Sequence, residues 1–210
     1  MITIFIADDH PLLREGVKAL LAAEGDLAVV GASGTGQETL HRLRKEVVDL
    51  LLLDLHLPDM DGFEVLQRVK KLRPELRVLV VTLCAEESMA FRVLRAGASG
   101  YLVKDALPEE LVKAVRAVHL GRRYLSPETA SRMVERFVDP EEVPIHDRLT
   151  NREFQVFKRL ASGMTVSGIA RELNLASSTV STHRAHILDK LELTSVTALI
   201  RYAVDHGLVE

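Results

Sequence analysis

The sequence has no tryptophan, one cysteine (Cys84) and only 4% aromatic residues. A single thiol excludes a disulfide framework and a cysteine metal cluster, and it fits a reducing compartment. No apolar run approaches the roughly 18–20 residues a membrane helix needs. "ITIFIADD" follows Met1 directly, with no basic leader, so neither a membrane span nor a signal peptide is expected. Positive charge is not in excess either: 27 Lys/Arg stand against 30 Asp/Glu, a net of −3. Such a chain is no general nucleic-acid glue, and any nucleic-acid binding must sit on a local patch. Its 210 residues, 47% of them apolar, suffice for one large core or two small ones. A cytoplasmic protein is expected.

Five short apolar runs punctuate the first part: "ITIFIAD" (2–8), "LAVVGAS" (27–33), "VDLLLLD" (48–54), "RVLVVTL" (77–83) and "GYLVK" (100–104). They are continuous rather than alternating, as in strands buried on both faces of a parallel sheet. Amphipathic stretches lie between and after them, at about 12–23, 37–45, 63–72, 88–96 and 109–120. Five such units predict a doubly wound α/β domain with a five-stranded parallel sheet over 1–121. Ser126 and Pro127 then open a helix over about 127–138, and "VDPEEVPIHD", with two prolines among acids, reads as a linker, so 122–147 is assigned to linker helix and loop. From 148 to 210 the pattern is helical throughout. Thr150 to Glu153 spell a capping box, further helix starts fall at Thr165, Ser177 or Ser178, and Thr194, and Gly207 reads as a C-cap.

In a doubly wound sheet the ligand crevice lies beyond the strand C-termini. Asp8 and Asp9 end the first run, Asp54 the third, Thr82 lies at the end of the fourth, and Lys104 follows the fifth. These ends are neighbours in that topology, so three carboxylates, a hydroxyl and an ammonium converge. Carboxylates so close repel unless a proton or cation intervenes. An all-oxygen set favours Mg²⁺ or Mn²⁺. Thr82 and Lys104 suit a tetrahedral anion, and a carboxylate beside both sites can itself be a nucleophile. One aspartate at a strand end is usually a turn or cap residue; the whole set, one strand end apiece, is what points to chemistry. For Asp59 and Asp61 in "PDMDG" the turn reading is preferred.

"IADDHPLLREGV", "DLHLPDMDG", "VVT" and "GASGYLVK" resemble the receiver domain of bacterial two-component response regulators, over residues 1 to about 121. The resemblance implies a flavodoxin-like fold and phosphorylation of Asp54 by a sensor histidine kinase. It implies a metal held by Asp9, Asp54 and the backbone carbonyl of His56, with Asp8 in support. It makes Thr82 and Lys104 the phosphoryl-binding pair and Tyr101 the aromatic switch residue, which turns inward on activation. His56 and Cys84 stand where the family tunes hydrolysis. Asp105 replaces a proline that many receivers carry after the lysine.

"SGIARELNL", "ASS" and "TVSTHRAHILDKL" make a short helix, a tight turn and a second helix with small polar residues in its first turns. That is a helix-turn-helix, whose second helix can enter the major groove. Residues 147–208 resemble the LuxR-type helix-turn-helix of NarL/LuxR response regulators, in a four-helix all-α domain. The resemblance implies DNA-facing roles for Ser178, Thr179, Ser181, Thr182, Arg184 and Ala185, and a last helix (about 195–206) that helps dimerise. Lysines common in the family are missing at Ser178, Ser181 and Ala185, and also at Ser167. Over 147–210, eight Lys/Arg face seven Asp/Glu. A domain so close to neutrality should bind DNA weakly as a monomer.

Three functions compete. The first is a DNA-binding transcriptional response regulator, homodimeric when phosphorylated, acting on promoter DNA. The second is a receiver-controlled protein-interaction regulator with weak or no DNA binding. The third is a haloacid dehalogenase-type hydrolase with Asp54 as nucleophile; it needs an aspartate two residues on, where His56 stands. The first is preferred, with slow self-dephosphorylation as its only catalysis.

Overall fold

The computed structural model describes residues 1–83, 87–138, 145–173 and 175–209. The chain divides into two compact units, Met1–Val138 and Asp139–Glu210. In the first, strands β1 (Ile2–Ala7), β2 (Leu27–Ser33), β3 (Leu50–Leu53), β4 (Arg77–Thr82) and β5 (Gly100–Val103) alternate with helices α1 (Pro11–Ala22), α2 (Gly36–Leu43), α3 (Gly62–Leu72), α4 (Glu87–Arg95) and α5 (Leu107–His119). β6 (Tyr124–Leu125) and α6 (Pro127–Val138) close the unit.

The sheet is parallel throughout, in the order β2-β1-β3-β4-β5-β6. Successive side chains of a strand point to opposite faces, so each continuous apolar run feeds two cores. Phe5, Leu51, Leu53, Val78, Val80 and Tyr101 pack with Leu43, Phe63, Leu66 and Val93 on one face. Ile4, Ile6, Leu50, Leu52, Leu79 and Leu102 pack with Val17, Leu21, Leu111 and Val115 on the other. The four leucines of β3 are all buried because β3 is central and covered twice.

Two features depart from the sequence reading. The sheet has six strands, not five: Tyr124 pairs with Gly100 and Leu125 with Tyr101. Gly100 permits this, since a Cβ there would stand 2.9 Å from the Tyr124 carbonyl. A two-residue strand carries no periodicity to read. The helix expected in the linker packs instead on α4 and β6, with Met133 against the core that holds Tyr101, and so counts with the first unit.

The second unit comprises α7 (Asn151–Ala161), α8 (Val166–Glu172), α9 (Ser177–Lys190) and α10 (Val196–Asp205), preceded by a 3-10 turn at Ile145–Arg148. α7 packs on α9 and α10, and α8 on α9. Phe154, Phe157, Leu160, Ile169, Val180, Ile187, Leu191 and Leu199 are buried. The capping box is complete: Thr150 caps the Glu153 amide, and the Glu153 carboxylate accepts from the Thr150 amide. α10 is capped by Ser195, one residue later than expected. Gly207 adopts φ 63°, the left-handed conformation that ends a helix.

Leu51 is fully buried on the central strand. Leu51→Ala is expected to lower the unfolding free energy by about 2–5 kcal/mol, since a covered central strand collapses poorly around a cavity. Denaturant unfolding of the full chain measures it.

Candidate functional site

Three parallel strands run out onto charge. Asp8 and Asp9 follow β1, Asp54 follows β3 and Lys104 follows β5. Ala7 lies opposite Leu53, Leu53 opposite Val80 and Thr82 opposite Val103, which sets these ends side by side. Lys104 Nζ stands 2.7 Å from Asp8 Oδ2 and 2.7 Å from Asp54 Oδ2. The Asp54 side chain is 1% exposed and that of Lys104 6%. Thr82 is fully buried at the end of β4.

Two carboxylates facing one another out of solvent would drive a proton onto one of them; the ammonium between them removes that need. Burial pushes the Asp54 carboxyl up, but the neighbouring His56 and the Lys104 ammonium outweigh it and hold it below its ordinary 3.8. Burial pulls the Lys104 ammonium down, and contacts with Asp54 and Asp8 more than restore it, to above 10.5. The His56 ring is 70% exposed and its Nδ1 lies 3.9 Å from Asp54 Oδ1, beyond hydrogen-bond reach. The Asp54 carboxylate still raises His56 above 6.5, against partial burial.

Among the described residues, Lys104 engages the Oδ2 atoms of Asp8 and Asp54. Asp54 Oδ1 and Asp9 Oδ1 are buried without a hydrogen-bond partner among the described residues. One ligand atom each from Asp8, Asp9, His10 and Asp54 lies within 4.8 Å of the others. Buried carboxylate oxygens that lack a donor are a set a divalent cation can complete.

The "PDMDG" aspartates are turn residues, as read, though with unequal reach. Asp61 caps its own helix by accepting from the Phe63 amide at 2.7 Å. Asp59 accepts from the Gly36 and Gln37 amides at 2.7 and 2.9 Å, capping α2 from a distant part of the chain. Gly62 starts α3 against the turn itself: a Cβ there would stand 2.5 Å from Leu55 Cα and run into the Asp54 carbonyl. Sequence reasoning gave no role to His10 or Arg14. Arg14 donates to the Asp8 carbonyl at 2.5 Å, and the signal for His10 was its place directly after two carboxylates. Tyr101 is fully buried in this structure. Leu125 and Met133 join the cluster around it. Cys84 lies outside the described residues.

In the second unit, Ser178, Thr179, Thr182 and Ala185 are exposed on α9, and Ser181 and Arg184 are half-buried. Ala176 caps α9 with no side-chain hydrogen bond, so the N-cap side chain leaves the first-turn amides uncovered. Thr182 Oγ donates to the Ser178 carbonyl at 3.1 Å. Glu153 ties the other end of α9 down: it accepts from Lys190 Nζ at 2.6 Å while capping α7. Its carboxyl, pushed up by burial, is held below its ordinary range by Lys190 and Thr150. Burial lowers His183, whose Nδ1 has no hydrogen-bond partner.

Residues 4–116 match the response regulator receiver domain family, and residues 147–203 match the luxR family of bacterial regulatory proteins. Response regulator GacA of Pseudomonas aeruginosa is 36% identical over 211 residues, spanning 100% of this chain and 99% of that one. Response regulator UvrY of Escherichia coli is 32% identical, spanning 99% and 96%. Among solved structures, RcsB from Salmonella enterica serovar Typhimurium, bound to the rprA promoter in the presence of the phosphomimetic BeF3⁻, superposes with a TM-score of 0.72. It is 27% identical, covering 96% of this chain and 97% of that one. No described helix is long and apolar enough to cross a membrane.

A depressed Asp54 pKa gives stability that is present above pH 3.8 and lost as pH falls through the folded value; the raised Lys104 keeps its share until pH passes above 10.5. The Asp54 carboxyl, followed by ¹³C NMR, is expected to titrate below 3.8 in the wild type and to move upward in Lys104→Met. Gly62→Ala should cost about 1–3 kcal/mol by overpacking against backbone, measured by denaturant unfolding, and should shift the same carboxyl signal.

Proposed function

The chain belongs to the response regulators that join a receiver domain to a LuxR-family helix-turn-helix domain, and on that premise we propose that Asp54 is the phosphoacceptor of a transcription switch. The observation that carries this is the unpartnered, buried Asp54 Oδ1 beside the Lys104 ammonium. One oxygen of the Asp54 carboxylate attacks the phosphorus of a phosphohistidine on a sensor histidine kinase, the histidine leaves, and the other carboxylate oxygen remains for the cation. Lys104 exchanges an aspartate oxygen for a phosphoryl oxygen, and the Thr82 hydroxyl donates to another. Asp8, Asp9, Asp54 and the His56 carbonyl would hold Mg²⁺ or Mn²⁺, which would supply charge neutralisation for the transferring group. The orphaned oxygens Asp54 Oδ1 and Asp9 Oδ1 suit such an ion.

Phosphorylating Asp54 converts the carboxylate that Lys104 pairs with into an acyl phosphate, and the pocket must re-form around the phosphoryl group. The change passes through Thr82 and Tyr101 to α4 and to the linker helix packed on it. His56, beside the acceptor, and Cys84 set a slow self-dephosphorylation. We assign phosphoacceptance to 1–121, coupling to 122–147 and DNA binding to 148–210, in a cytoplasmic protein.

The output is promoter DNA bound by a homodimer. Ser178, Thr179, Ser181, Thr182, Arg184 and Ala185 face the groove, and uncovered amides at the start of α9 suit phosphate oxygens. Leu199 and Ala203 of α10 are core, whereas Val204 is exposed and Val196 and Ile200 are half-buried, which supports a pairing face. A second reading, regulation through protein contact with little DNA binding, is favoured by one observation: the exposed positions of α9 through Ala185 carry hydroxyls and a methyl group rather than ammonium groups.

The test is mass in solution and promoter affinity, with and without a small phosphodonor and Mg²⁺, in wild type and Asp54→Ala. Phosphodonor is expected to dimerise the wild type alone and to tighten its DNA binding by about 5- to 150-fold. Identical responses in Asp54→Ala refute the phosphoacceptor. Absence of a salt-dependent affinity for any promoter in either state moves the output to the second reading.

A further inference from the structure

We infer that His10 is a nitrogen ligand at the mouth of the acidic pocket and turns its choice of ion toward imidazole-accepting first-row transition metals over Mg²⁺. The inference rests on the proposed reading of that pocket as a divalent-cation site.

His10 is held at the pocket by its backbone. It is the N-cap of α1, ahead of Pro11, and its amide donates to Asp8 Oδ1 at 2.8 Å. Its ring Nδ1 stands 2.7 Å from Asp9 Oδ1 and 3.4 Å from Asp8 Oδ1. Yet Asp9 Oδ1 has no hydrogen-bond partner, so the oxygen lies well off the axis along which Nδ1 would donate or accept. Two neighbouring ligands of one octahedral ion meet in this way. With bonds of about 2.1 Å they sit about 3 Å apart, each bond directed about 45° away from the line joining them.

A second observation comes from the buried side. Lys104 takes Oδ2 of Asp8 and of Asp54. Asp54 Oδ1 is left unpartnered on a side chain 1% exposed. Asp8, Asp9, His10 and Asp54 each present a ligand atom within 4.8 Å of the others. The donor set is thus carboxylate oxygens plus one imidazole, reaching in from a ring that is 57% exposed. Mg²⁺ is satisfied by oxygens and keeps its waters. Co²⁺, Ni²⁺ and Zn²⁺ gain more than Mg²⁺ from a nitrogen ligand, because imidazole suits these borderline first-row ions and oxygen donors suit Mg²⁺. A mere ion pair of His10 with Asp9 would act on all ions alike.

The metal-free full chain is titrated calorimetrically with Mg²⁺ and, separately, with Co²⁺, in wild type, His10→Phe and Asp9→Asn. Co²⁺ is expected to bind the wild type tighter than Mg²⁺, and the ratio of the two affinities to fall about tenfold or more in His10→Phe. The Co²⁺ form should show a contact-shifted, exchangeable imidazole N–H proton by NMR that His10→Phe removes. Asp9→Asn should weaken both ions. Retained Mg²⁺ binding in His10→Phe shows that the variant is folded. An unchanged ratio with Mg²⁺ still bound, or persistence of the shifted proton in His10→Phe, overturns the role of His10 and leaves the cation site standing. Failure of Co²⁺ alone to bind the wild type overturns the role of His10, and failure of both ions overturns the cation site with it.

Discussion

Everything in the first unit is arranged so that one ammonium can stand between two buried carboxylates. Lys104 reaches Asp8 and Asp54 only because β1, β3 and β5 end at one level, with β4 filling the place between β3 and β5. Removing one partner of a buried pair leaves a charge without compensation, at a cost of about 3–5 kcal/mol. The helices that fix those strand ends, and the turns that join them, therefore share in holding the charges apart from solvent. Gly62 shows how little room remains: α3 must start against the Asp54 backbone. Asp59 makes the same loop hold the start of α2 as well.

Much of this was legible in the sequence for a physical reason. Strands covered on both faces need continuous apolar runs, and a chain that ends such a run on Asp8, Asp54 or Lys104 announces where the strand stops. The pocket followed from topology, because parallel strands put all their C-termini on one edge. What escaped reading was set by contacts between distant segments. β6 is too short to have a period. The full burial of Tyr101 could not be read locally, because Leu125 and Met133, which pack around it, come much later in the chain. Asp59 looks like any turn aspartate until α2 is seen beside it. His10 is marked in the sequence only by following Asp8 and Asp9; the Asp9 and Asp54 oxygens around it are what make the imidazole informative.

The second unit was read through its caps. Thr150 with Glu153 marked α7, and Thr165 marked α8, because side-chain oxygens that satisfy free amides must sit at fixed spacings. The start of α9 was less definite, and the structure explains why: Ala176 offers no cap, so no side chain there marks the boundary. The helix is positioned from its far end, where Lys190 meets the Glu153 carboxylate. A helix anchored at its C-terminus and left open at its N-terminus presents its first turns outward with few charges of their own. Orientation is then fixed by the buried faces of Val180 and Ile187, which leaves the opposite surface for contact.

β6 has a bearing on how this protein can be cut. The five longer strands end before residue 104, and a fragment stopping near 121 contains all of them together with their helices. It lacks Tyr124 and Leu125, so the amides and carbonyls of Gly100 and Tyr101 that face β6 become an open edge. Unpaired edges recruit strands from other molecules. The short strand thus acts as a selvedge on the weave: a fragment carried through α6 keeps its border sewn, while a shorter one of nearly the same core trades a foldable domain for a sticky one.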